Sequence, residues 1–408
     1  MSPVPPADGE PARPERERPD STRSDAEAPD VTTSSVARPG SRRSLSRRVS
    51  IVAGVLATAL VAVGLVIAVT HPVHDPEPPA PLPSAGQMRA YPSFGADSIY
   101  TLDVSQAPVD PNSARMVRHL VGQITPHYSG IAALNIADYS ASLYVVDSNT
   151  PRQTVEFYDC QEKGYTPQGL FDGPAHFVDV PIPSGTRVSS GTDKALTLWS
   201  PSTDQLWEFW VMEKQGSAWR ACWGGRIDDV SQSPGQFEYP FGATATGIPM
   251  VGTMLRVQDV ASGRADHALG LALLSPADAG RVRYPANRSD GSDRSPDAIP
   301  EGARLRLDPS LDVESLGLTP VGVIVARAAQ KYGFIVVDRA GAVAVIGESG
   351  VPEQQATGHN PWDVLLGETP TYQQLENFPW DKVQVLRSDV GVPPGGDPRS
   401  VETTSPAG

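Results

Sequence analysis

The 408-residue chain has only two cysteines, Cys160 and Cys222, and seven histidines. No Cys-x-x-Cys or His-x-x-x-His spacing occurs, so a structural zinc site has no support. The phosphate-loop pattern Gly-x-x-x-x-Gly-Lys-Ser/Thr is missing, as are Gly-x-Gly-x-x-Gly, Gly-x-Ser-x-Gly and Ser-x-x-Lys. These absences disfavour nucleotide, dinucleotide, α/β-hydrolase and penicillin-binding chemistry. No internal repeat is visible. One further absence is informative: residues 51–70 contain no charged side chain.

That apolar run, Ile51 to Thr70, rises about 30 Å as a helix, the thickness of a bilayer's hydrocarbon core. Arg42, Arg43, Arg47 and Arg48 precede it, whereas His71, His74, Asp75 and Glu77 follow it. The positive-inside bias therefore predicts a cytoplasmic N-terminus and an extracytoplasmic remainder. A cleaved signal peptide fits less well, because some fifty residues precede the run and the run exceeds the usual apolar length of about 7–15 residues. The expected localisation is the cell membrane, through a single-pass signal anchor.

The net charge is −14. Residues 1–48 nearly balance, with nine arginines against eight acidic residues, so the negative charge belongs to the exterior part. Such a surface repels phosphate backbones, and nucleic acid is not expected as a partner. An isolated cysteine pair in an oxidising compartment is expected as a disulfide between Cys160 and Cys222 rather than as two free thiols.

Composition divides the chain into a disordered cytoplasmic tail (1–48), a transmembrane anchor (49–70), a Pro-rich linker (71–87), a β-rich extracytoplasmic domain (88–387) and a disordered tail (388–408). Within the domain, short apolar runs alternate with turn clusters. Strands are predicted over 142–146, 154–158, 176–180, 196–200, 206–212, 219–223, 267–273 and 304–307. Helices are predicted over 113–123, 252–262 and 320–332, the last followed by a hairpin of 334–338 with 342–346. The predicted fold is mainly β: a β-sandwich, jelly-roll-like, with a few helices, preceded by one transmembrane helix.

Aromatics crowd between Trp199 and Trp223. Period-2 alternation places Trp207, Phe209 and Val211 on one strand face and Glu208 with Trp210 on the other. A tryptophan beside a carboxylate is how sugars are held, the ring stacking on C–H faces while the acid takes hydroxyls. Equally, both faces are covered and Glu208 pairs with an arginine. On the first reading Trp199, Trp207, Trp210 and Trp223 bind ligand. His267 follows Asp266, the arrangement of a general base, or else it is a core histidine bonded to a backbone carbonyl. Gly242 to Pro249 is small and hydroxyl-rich, either a loop that presents Thr244 and Thr246 to a ligand or one packed closely for its own sake. The acidic loop Asp290, Asp293, Asp297 has oxygen ligands for Ca²⁺ but lacks the EF-hand spacing, and it is read as solvated. No metal and no cofactor is expected.

Several segments in order resemble an uncharacterised family of bacterial extracytoplasmic proteins, secreted or membrane-anchored. They are Val109-Asp-Pro-Asn-Ser113, Pro181-Ile-Pro183, Trp207-Glu208, Gly242 to Pro249, Arg264 to Leu269, Tyr284-Pro-Ala286 and Gly302 to Asp308. The resemblance covers residues 90–387. Tyr284 stands where that family usually has tryptophan. The resemblance implies one β-rich exterior module and no established activity or catalytic residue.

The expected function is an anchored module directed at envelope or environmental polysaccharide, by binding or cleavage. Were it an enzyme, glycoside hydrolysis or lyase chemistry would use Glu208 and Asp266 as carboxylates and His267 as base. The alternative is a non-catalytic envelope scaffold or partner-binding ectodomain whose tryptophans are core.

Overall fold

The computed structural model describes residues 90–165 and 177–396. The predicted cytoplasmic tail, membrane anchor and linker lie outside the described residues, as do 397–408. Among the described residues no helix is long and apolar enough to cross a membrane.

The fold is mainly β, with several sheets and few helices. Helix α1 (Ser113–Ile124) precedes strands β1 (Ala133–Asn135), β2 (Ser142–Val145), β3 (Arg152–Gln153), β4 (Val155–Phe157) and β5 (Val180–Pro181). The aromatic region folds as β6 (Leu196–Ser200), β7 (Gln205–Trp210), β8 (Glu213–Gln215), β9 (Ala218–Ala221) and β10 (Trp223–Ile227). Then come α2 (Met250–Thr253), α3 (Val257–Ser262), β11 (Leu269–Leu273) and β12 (Arg304–Leu307). Helix α4 (Pro320–Lys331), β13 (Phe334–Arg339), β14 (Ala344–Ile346), α5 (Val351–Thr357), α6 (Pro361–Leu365) and β15 (Val383–Val385) complete the domain.

Six strands form the main sheet in the order β1-β14-β11-β13-β12-β15. The pairs β1–β14 and β11–β13 are parallel and the other neighbours antiparallel. A four-stranded sheet runs β10-β7-β6-β2, with β2 parallel to β6.

All five residues of β11 are buried, because both faces of the main sheet are covered. Leu269, Leu271 and Leu273 join one core with Met116 and Leu120 of α1 and Ile324 and Val325 of α4. Ala268 and Ala272 join the other core, with Trp207 and Phe209 of β7. A strand buried on both sides reads as an apolar run rather than an alternating one.

This arrangement corrects the jelly-roll expectation. Instead of two facing antiparallel sheets, a mixed sheet carries helices on one face and the aromatic sheet's core on the other. It also corrects the predicted hairpin of 334–338 with 342–346. These segments, now β13 and β14, do not pair with one another, because β11 lies between them. The helix predicted over 252–262 breaks into α2 and α3, separated by extended residues at Met254 and Arg256.

Candidate functional site

Glu208 sits in the middle of β7, 1 % exposed, between covered faces. Its carboxylate accepts the backbone N–H groups of Met250 and Val251, each at 2.9 Å, and the Thr197 hydroxyl at 3.4 Å. The expected arginine partner is replaced by the amides at the start of α2. Burial pushes this carboxyl up to about 7, against the opposing pull of those hydrogen bonds.

The other two residues expected in catalysis lie elsewhere. Asp266 is exposed and pairs with Arg264 at 3.0 Å. His267 is buried, with Nε2 2.9 Å from Asp259 and Nδ1 2.9 Å from the carbonyl of Ala268. Its carboxylate partner is thus Asp259 of α3, not its sequence neighbour. Asp266 and His267 line one surface pocket, with Tyr91 and Arg256, and Glu208 is not among its lining residues. The structure does not assemble these three groups into one catalytic arrangement.

Of the four tryptophans, Trp199 and Trp207 are sealed in the core, 5 % and 1 % exposed. Their indole N–H groups have no hydrogen-bond partner among the described residues. They occupy inner positions of a sheet covered on both sides, so neither ring is available to a ligand. Trp210 and Trp223 differ. They stand opposite one another at one end of the β7–β10 pair, each partly exposed. The Trp210 indole donates to Asp193 at 3.0 Å, and the Trp223 indole donates to the Pro240 carbonyl at 2.9 Å.

Both rings line a half-open pocket of about 300 Å³ shared with Asp193, Thr244, Arg288 and Asp338. One wall is the Gly242–Pro249 loop. Its hydroxyls are used internally: Thr246 donates to the Val337 carbonyl and Thr244 to the Ile248 carbonyl, each at 2.8 Å. Thr246 is fully buried, whereas Thr244 reaches the pocket wall. The packing explanation for this small-residue loop therefore accounts for both side chains.

Arg288 holds the wall in place. Its guanidinium donates to the carbonyls of Gly242 (3.0 Å), Thr244 (2.6 Å), Ala245 (3.1 Å) and Pro240. It also lies 5.1 Å from the Trp223 ring centre, a cation–π distance, and Lys163 stands 4.9 Å from the same ring. Burial lowers the Arg288 pKa to about 10, which leaves the group charged at neutral pH.

At the pocket's polar end three carboxylates converge. Asp290, Glu301 and Asp338 each place an oxygen within 4.8 Å of the others. They come from three segments: the 277–300 loop, the turn before β12, and β13. Gly302 fixes Glu301 in place. It has φ 82°, and a Cβ there would lie 1.7 Å from the Arg283 carbonyl oxygen, so only glycine permits this turn. Glu301 is fully buried; its Oε2 accepts the Asp290 amide at 3.1 Å, while its Oε1 has no hydrogen-bond partner. Asp338 accepts the amides of Arg339 (2.9 Å) and Ala245 (3.4 Å). Burial pushes Glu301 up to about 8 and Asp338 up to about 7.

The cluster escaped the sequence reading because only Asp290 belongs to the visibly acidic loop. A faint signal existed in Asp338, a carboxylate closing the otherwise apolar run Phe334-Ile-Val-Val337. The rest of that loop is partly engaged: Asp293 sits 2.8 Å from His119, and Asp297 pairs with Arg115 at 2.9 Å. Cys160 and Cys222 are joined in a disulfide that ties the segment after β4 to the residue between β9 and β10.

No family model matches the chain, and comparison with curated proteins and with solved structures gives no match.

Proposed function

We propose that the chain is a single-pass, membrane-anchored extracytoplasmic module that binds envelope or environmental polysaccharide in the pocket beside Trp210 and Trp223. The observation that carries this reading is the pairing of two partly exposed indoles with Asp193, Asp338 and Arg288 around one half-open cavity. Aromatic faces beside fixed carboxylates and a guanidinium match the mixed C–H and hydroxyl surface of a sugar. Membrane anchoring and outward orientation rest on the apolar run 51–70 and its flanking arginines. The disulfide agrees with an oxidising compartment.

Binding is favoured over cleavage, since Glu208 is enclosed in the core and Asp266 and His267 line a different pocket. The test is a glycan-array and soluble-polysaccharide binding screen of the full-length protein beside a Trp210→Ala variant. Retention of a glycan by the parent and its loss in the variant supports the reading. Absence of any bound glycan overturns it in favour of a scaffold with protein partners.

A further inference from the structure

We propose that Asp290, Glu301 and Asp338 form a binding site for a hard divalent cation, with calcium the ion that fits. Three carboxylate oxygens within 4.8 Å of one another supply one side of an oxygen coordination shell. The independent sign of a ligand is Glu301. This side chain is fully buried, yet its Oε1 meets no donor among the described residues. A buried carboxylate oxygen with no donor is costly, and an ion at the cluster is what would satisfy it.

Calcium is the ion suited to this site. Ca²⁺ takes about six to eight oxygens at about 2.3–2.6 Å in flexible geometry, which three carboxyl groups from separate segments and the open pocket can supply together with water. Mg²⁺ demands near-ideal octahedral geometry at about 2.0–2.1 Å and dehydrates reluctantly. Two of the carboxyl groups are held by the structure around them. Asp338 is held by two backbone amides, Glu301 by the Asp290 amide and the Gly302 turn.

The guanidinium of Arg288 also lies near the cluster, but its N–H groups are committed to loop carbonyls rather than to the three carboxyl groups, so it does not take the place of a cation there. Asp193, Lys163 and Arg339 also line the pocket. Asp290 is exposed and Asp338 lines the cavity, so an ion enters from the pocket and completes its shell with water or ligand hydroxyls. The site stands on its own geometry and does not depend on polysaccharide binding.

Calcium titration of the chelator-treated full-length protein tests it, read by calorimetry and by terbium luminescence sensitised by the nearby tryptophans. One ion is expected per chain, with an affinity in the range of extracellular calcium modules, about 10⁻⁴–10⁻³ M or tighter. Asp290→Asn, an exposed position, should weaken calcium at least about tenfold while leaving the circular dichroism spectrum unchanged. Glu301→Gln should abolish binding. No calcium uptake up to about 10 mM, binding unchanged in Asp290→Asn, or magnesium bound as tightly as calcium would each overturn the assignment. Calcium binding that survives when every glycan fails would separate this site from the proposed function.

Discussion

Trp210 and Trp223 face each other across the antiparallel β7–β10 pair, and each indole N–H is tied to a different wall of the same pocket. Trp210 reaches Asp193 in the loop before β6, and Trp223 reaches Pro240 ahead of the Gly242 loop. The next pair on the same face is Glu208 with Gly225, and Glu208 is buried. On that face the change from core to cavity is therefore made within two residues.

Glu208 makes stability depend on pH. The groups facing it are the Thr197 hydroxyl, the amides of Met250 and Val251, and the buried Tyr100 phenol. Its pKa of about 7 in the fold exceeds the ordinary 4.5, so its contribution is fully present below about pH 4.5 and is lost as pH rises to about 7. Glu208→Gln cannot titrate. Relative to the parent, the variant should gain about 2 to 3 kcal/mol between about pH 5 and about pH 8. Denaturant unfolding of both proteins at the two pH values measures this. Glu301 and Asp338 titrate in both proteins and cancel in the difference. Parallel pH profiles would contradict the placement of Glu208.

Gly224 is required by packing. A Cβ there would stand 2.5 Å from Phe209 Cδ1 and 2.8 Å from the Glu208 carbonyl oxygen. Gly224→Ala should destabilise by about 1–3 kcal/mol, and a denaturation midpoint shift of that size checks it. An unchanged midpoint would mean that the aromatic sheet is looser than described.

The disulfide closes a loop of 62 residues. In the chain-entropy model its loss should cost about 4 kcal/mol. The Cys160→Ser/Cys222→Ser double variant tests this by denaturant unfolding under non-reducing conditions. Equal stability of parent and variant would contradict it.

What the sequence revealed follows the range of the interaction. The hairpin of β6 and β7 is set by local alternation and a tight turn, and both strands fall where the pattern places them. Helix α4 falls where its apolar spacing places it, and the structure adds a cap, with the Thr319 side chain accepting the Gly322 amide and Pro320 in the first turn. Sheet order is different. β11 enters between β13 and β14 from more than sixty residues away, and no local pattern encodes that insertion. The same holds for the site. Trp210 and Trp223 were visible as aromatics, but Trp199 and Trp207 look identical in sequence and differ only in what covers them. Similarly, the adjacent Asp266 and His267 suggested a dyad, whereas the helix end brings Asp259 to the ring instead.

The most direct test of the binding pocket is fluorine NMR of the full-length protein with its seven tryptophans replaced by 5-fluorotryptophan, titrated with a glycan taken from the binding screen. Resonances assigned by substitution to Trp210 and Trp223 should shift together and saturably, while those of Trp199 and Trp207 stay fixed. Shifts confined to other tryptophans, or no shift while the glycan is bound, would place binding elsewhere on the molecule.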